Sequence, residues 1–346
     1  MQTEFVFRLG ASALGAAALV GFALAGPAPA AAAELELTCA HDQPVAKGAE
    51  GYKEIQWQHF KKTVEEKSNG RIAVKVLGAG QLGDVPALIE NMKIGTVDCT
   101  DISAATGGPF IPALSILSVP YVIENLEHRA RVVDTDGPVF AEVARLVKEK
   151  LDATLMGTEH SSVRSVYTRT KPVNTPDDLK GLKIRTMQSK AQVSSWQALG
   201  ASPTAIAFAE VYAALQAGVV DAAENSPMFL WSMKHYEAVK YYSLTKHLMN
   251  TGFSMISNRA LAKIPADLRD MVIEAGREGS ARGRQYDIDV DSKFMKQITD
   301  AGVIVNDVDT APFVALAVSV HDELAKELGG EKLLAIARAE AKMVMK

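Results

Sequence analysis

The chain has 346 residues, 48% of them hydrophobic, with 41 acidic against 37 basic side chains and a formal charge of −4. That is enough apolar material for one large or two medium cores. The slightly acidic balance excludes a polyanion-binding role, nucleic acid included. Among the seven histidines no pair has metal-ligand spacing with a third donor nearby, so no metal and no cofactor is expected. Neither a G-x-S-x-G elbow nor a P-loop lysine is present, and catalysis has no positive support.

Residues 9–33 carry no charge and end in Ala31-Ala32-Ala33 before Glu34. The apolar run Ala11–Ala25 is about 15 residues, short for a bilayer span. Small residues at Ala31 and Ala33 suit signal-peptidase cleavage, which predicts a signal peptide over 1–33 and export. A retained membrane anchor is the alternative. Cys39 and Cys99 each sit in a strand-like run. An oxidising compartment permits a disulfide closing a loop of about 60 residues, worth roughly 4 kcal/mol; buried free thiols are the reading favoured here.

From Glu34 onward short strands alternate with helices. Glu34–Ala40, Arg71–Leu77 and Val97–Ile102 read as strands, separated by helices over Glu50–Asn69 and Val85–Lys93. This β-α-β-α-β order predicts a parallel, doubly wound sheet of the α/β class. Gly107–Tyr121, with three prolines, reads as a shaped loop over a cleft. Helices over Leu126–Thr135 and Val139–Lys150 follow, then two strands around Ser161-Ser162. Pro265–Thr299 reads as one helix of about 50 Å, long enough to brace two lobes. Val303–Val308 is a last strand, before helices broken at Gly329-Gly330.

Gly78-Ala79-Gly80-Gln81-Leu82-Gly83 fits G-x-G-x-x-G between a strand and a helix, with Asp98 or Asp101 as a ribose acid. A secreted NAD-dependent oxidoreductase using Gly78–Gly83 is therefore the alternative function. Against it, Glu34–Ala40 precedes the motif and the acids come slightly early, so turn glycines are the plainer reading. Arg164 and Arg185 each follow strand-like alternation, and an arginine at a strand end beside a helix N-terminus sits where open α/β sheets bind ligands. Its planar fork suits a carboxylate. A surface ion pair is the plain alternative for either.

Lys171–Arg185 (KPVNTPDDLKGLKIR), Leu199–Thr204 (LGASPT), Phe208–Asp221 (FAEVYAALQAGVVD), Glu224-Asn225, Tyr236-Glu237 and Gln81-Leu82-Gly83 together resemble the solute receptors of tripartite ATP-independent periplasmic (TRAP) transporters, the DctP family. The similar stretch runs from about Leu35 to the end of the chain. The resemblance implies an α/β, two-lobed, periplasmic-binding-protein-like (type II) fold with interleaved chain. It groups residues 34–161 with 250–290, and 162–249 with 291–346. It also implies a periplasmic location, no enzymatic turnover, and small and large membrane subunits as partners.

By the same resemblance Arg185 grips the ligand carboxylate, Arg164 is a second ligand-facing arginine, Asn225 a ligand-facing amide and Phe208 an aromatic wall. Met187 and Gln188 tune specificity, and His247 touches the ligand or supports the site from behind. Ser161-Ser162 before Arg164, Ala222-Ala223 and Ser226 depart from the family pattern. His41, Asp42, Asp101, Glu159 and His160 fall in segments expected to line the cleft and are less typical of it. Extra acids and imidazoles suit hydroxyl groups, which points to a hydroxylated acid such as a uronate or aldonate. A keto acid stays open, as does a dicarboxylate, for which Arg164 would be the second cation.

Overall fold

The structure, a computed structural model, describes residues 33–160 and 163–344, with His160 and Val344 described in their backbone only. The expected signal peptide and Ser161-Ser162 lie outside the described residues, as does the His160 side chain. Eleven strands are found among the described residues: β1 (Leu35–Ala40), β2 (Ile72–Leu77), β3 (Cys99–Ser103), β4 (Ala153–His160), β5 (Arg164–Thr168), β6 (Lys183–Thr186), β7 (Ser202–Ala205), β8 (Ala222–Asn225), β9 (Tyr241–Leu248), β10 (Thr251–Ser257) and β11 (Ile304–Asp307). They form two sheets, ordered β2-β1-β3-β10-β4 and β11-β9-β5-β8-β6-β7.

The parallel winding expected from the first strands holds for β2, β1 and β3. Beyond them β10 enters antiparallel to both β3 and β4, so the sheet is mixed. Side chains alternate across each sheet, as a two-residue repeat demands. Leu155 and Met156 go to opposite apolar clusters, and so do Met255 and Ile256. In the second sheet Val166 and Tyr167 divide in the same way. Both faces of both sheets are therefore covered, and ligand access is left to their edges and ends.

Local chemistry sets the helix ends that matter for the cleft. The Asp84 side chain accepts the Ala87 N–H and caps helix Val85–Ile94, while Gly95 at φ 84° closes it. Gly107–Tyr121 is not a loop over the cleft. It contains the 3₁₀ segment Pro112–Ser118, whose Leu114, Ile116 and Leu117 are buried in the core of the first sheet. Leu324, Leu328, Leu333 and Ala337 join that same core. The last two helices thus cover the first sheet, although the expected grouping put 291–346 with the second. Cys39 and Cys99 are free, buried and in register on adjacent strands. No helix among the described residues is long and apolar enough to cross a membrane.

The expected bracing helix runs from Arg269 to Asp300. Val272 and Ala275 pack with the first sheet and Ile298 with the second. Gly279 and Gly283 form the contact face toward helix Tyr52–Lys67, while Gly276 faces Met156 on β4. A Cβ added at Gly279 would lie 2.8 Å from the Gln56 carbonyl oxygen, and one at Gly283 would lie 2.9 Å from that of Tyr52. Replacing Gly279 with leucine should destabilise the protein by about 1–3 kcal/mol, because overpacking against backbone outweighs a helix-propensity gain of about 1 kcal/mol. A urea midpoint for Gly279→Leu equal to that of the parent would contradict this packing.

Candidate functional site

Where the two sheets face each other, a cleft opens with about 640 Å³ of space, its mouth included. Arg185 lines it from β6, the strand that the turn after Asn174 sets in register beside β7. The residue is 3% exposed. Its Nε and Nη2 both donate to the Ile206 carbonyl oxygen, at 2.9 and 2.8 Å. No carboxylate among the described residues lies within ion-pair distance of it. Burial lowers its pKa to about 10, against the more distant pull of Glu224. It is a buried cation aimed at the cleft with only a neutral oxygen to hold it.

Arg164 lines the same wall from β5 but is electrically satisfied. Its Nε and Nη2 donate to the two carboxylate oxygens of Glu224 at 2.6 and 2.7 Å, and its Nη1 to Asn225 Oδ1 at 2.6 Å. Burial alone would raise the Glu224 pKa, but the Arg164 charge and hydrogen bonds from His247 and Arg164 bring it down to about 2. His247 stands behind this pair, its Nε2 3.3 Å from Glu224 Oε2 and its Nδ1 2.9 Å from Thr245 Oγ1. The second cation considered for a dicarboxylate is thus already neutralised.

Phe208, Met187, Gln188 and Asn225 line the cleft as well. Phe208 meets Phe229 edge-on at 5.4 Å, and Tyr52 also meets Phe229, at 6.3 Å, giving an apolar wall beside the arginine. Beneath it His235 is fully buried, with Nδ1 2.8 Å from the Tyr167 hydroxyl. Burial and the nearby Arg185 hold its pKa near 3, so the ring is neutral.

From the first sheet, Asp42 reaches the cleft, but three other residues expected there do not line it. His41 is buried, its Nε2 2.8 Å from Glu54 Oε2. Asp101 and Glu159 lie inside, bridged by Gln56 Nε2 at 3.0 and 2.7 Å. Trp57 Nε1 also donates to Asp101. Burial, reinforced by Asp101, pushes the Glu159 carboxyl well above its ordinary range, so it holds its proton. Asp101 sits on β3, flanked by β1 and β10, where a side chain meets covering helices rather than solvent.

The cleft also holds residues that sequence reasoning missed: Gln43, Tyr52, Lys53, Ser103, Thr106, Asn250 and the cap Asp84. Lys53, in the first turn of helix Tyr52–Lys67, is 4% exposed. Its Nζ lies 3.3 Å from Asp42 Oδ1 and 3.6 Å from Asp101 Oδ2. Burial favours the neutral amine, but Asp42 and Asp101 raise its pKa well above the ordinary value and keep it charged. Its place at a helix start just after β1 was a usable signal; Asn250 had none. The Gly78–Gly83 turn is shaped by packing: a Cβ on Gly78 would meet Val45 at 2.4 Å and the His41 ring at 2.7 Å.

Comparison with known proteins adds to this geometry. The profile described as bacterial extracellular solute-binding protein, family 7, matches residues 45–328. A solute-binding protein of Chromohalobacter salexigens is 32% identical over 271 residues, 78% of this chain and 80% of that protein. The crystal structure of a TRAP periplasmic solute-binding protein from Sulfitobacter sp. NAS-14.1 with bound β-D-galacturonate superimposes with a TM-score of 0.82 at 30% identity, covering 88% of this chain and 99% of that one. A TRAP periplasmic solute-binding protein from Pseudomonas putida F1 with bound D-glucuronate gives 0.81 at 28% identity, covering 88% and 97%.

His128, His235, His247 and His321 all have pKa values lowered in the fold, each chiefly by burial. Protonation therefore favours the unfolded chain. The stability these rings contribute is complete above their unfolded pKa of about 6.5 and is lost as pH falls toward the folded values, with a limit of about 1.4 kcal/mol per pH unit for each ring. Unfolding free energy should decline from pH 6.5 to 4, and His235→Gln should make that decline shallower. An unchanged slope in denaturant titrations of His235→Gln would refute the neutral buried ring.

Proposed function

This chain belongs to family 7 of the bacterial extracellular solute-binding proteins, and on that premise we propose that it is the periplasmic receptor of a TRAP transporter. It captures a small organic acid in the cleft between its two sheets and hands it to the small and large membrane subunits. It binds and releases its ligand without turning it over. A hydroxylated sugar acid such as a uronate is the ligand class, a reading supported by the galacturonate and glucuronate held in the related structures.

The observation that carries this reading is Arg185. A buried guanidinium with no acid partner among the described residues is costly to keep charged. A ligand carboxylate docking on its fork removes that cost and gains charge-assisted hydrogen bonds. The aromatic wall of Phe208, Phe229 and Tyr52 suits the C–H face of a sugar ring. We take the first lobe as the β2-β1-β3-β10-β4 sheet with its helices and the second lobe as the other sheet. The link from β9 to β10 acts as a hinge about which ligand binding favours closure.

Isothermal calorimetry with D-galacturonate and D-glucuronate tests the assignment. Arg185→Ala should cost about 2–5 kcal/mol, which is roughly 30-fold to several-thousand-fold in Kd. Arg185→Lys should also lose much of the affinity, because a point charge does not reproduce the planar fork. Wild-type affinity in Arg185→Ala would remove the carboxylate site from this residue.

A further inference from the structure

We infer that the first-sheet wall of the cleft reads uncharged hydroxyl groups and rejects a second carboxylate, with Asp42 and Lys53 as the specificity-determining pair. This inference rests on the receptor reading above and narrows its ligand to hydroxylated monocarboxylic acids.

The argument is one of charge and unmet hydrogen bonding. On the second-sheet side, Glu224 occupies Arg164, so Arg185 alone offers an uncompensated positive charge to an anion. On the first-sheet side the one cation lining the cleft among the described residues is Lys53, and Asp42 and Asp101 already surround it. Asp42 and the cap Asp84 line the wall beside it, which leaves that wall net acidic. A carboxylate arriving there would meet like charge in a poorly solvated place, where such juxtapositions cost several kcal/mol. A hydroxyl meets no such penalty. It donates to Asp42 and accepts from Lys53, so each member of the pair gains a partner without losing the other.

Asn250 supplies an independent observation. It lies on the link between β9 and β10, lines the same cleft and is 8% exposed. Its Oδ1 has no hydrogen-bond partner among the described residues. A buried acceptor left unpaired is destabilising until a donor arrives. A carboxylate has no proton to donate; a hydroxyl has one.

The test uses acids that differ only at the terminal carbon: D-galactonate against galactarate, and D-gluconate against D-glucarate. Each is titrated by displacement of D-galacturonate or D-glucuronate from the whole mature protein. The monocarboxylate of the better-bound pair should win by about tenfold or more, and Asp42→Asn should move that ratio toward unity, because like-charge repulsion is relieved. Lys53→Gln should weaken the monocarboxylate by about tenfold through loss of a charge-assisted bond, without any gain for the dicarboxylate. Circular dichroism melting verifies that both variants are folded. Equal binding of mono- and dicarboxylate by the parent, or a ratio unmoved in folded Asp42→Asn, overturns the inference and leaves the receptor reading standing. Failure of every sugar acid to bind the parent takes both down.

Discussion

A buried positive charge with no acid partner among the described residues organises this molecule. Arg185 is held by a single carbonyl oxygen, that of Ile206, which takes two of its N–H groups. That arrangement fixes the direction of the fork without neutralising it. Placing an acid there instead would have made a stable ion pair and a closed site. The cost of leaving the guanidinium buried is met by the surrounding fold, and on the proposed reading a ligand carboxylate recovers it. The rest of the cleft surrounds that charge without neutralising it.

Arg164 shows the other solution within the same wall. Its guanidinium is gripped on both edges by Glu224 and Asn225, and His247 backs the acid. This cluster ties β5, β8 and β9 into one rigid surface. It gives the site a planar polar face without a second net charge. Two arginines of similar burial thus do different work, and only the identity of their partners separates them.

The sequence made much of this visible where the signal was local. The alternation of Arg71–Leu77, the helix over Val85–Lys93 and the strand ending in Arg185 each appear close to where their patterns put them. Export, the lobe boundaries and the individual site roles are of another kind and stand as proposals. Less legible was anything that depends on which layer covers a strand. Asp101 and Glu159 looked like cleft acids because the resemblance puts their segments in the cleft wall; the inserted β10 and the helix carrying Gln56 and Trp57 put them inside. The pattern of Gly107–Tyr121 advertised turns and concealed a buried 3₁₀ segment. Asn250 carries no local mark at all, since its importance comes from a crossing between sheets brought together from distant parts of the chain.

The long helix connects these scales. Its glycines look like defects in a helix of 32 residues, where each weakens helix propensity by about 1 kcal/mol. Gly279 and Gly283 are what allow helix Tyr52–Lys67 to approach within backbone contact, at the carbonyls of Gln56 and Tyr52. That approach places Tyr52 in the aromatic wall, Lys53 between Asp42 and Asp101, and Gln56 across Asp101 and Glu159. Since the same helix packs on both sheets, the element that braces the lobes also sets the depth of the first wall. The depth of the first wall therefore depends on two missing side chains, at Gly279 and Gly283. A change on that face, well outside the cleft, reaches the cleft lining through the position of Lys53.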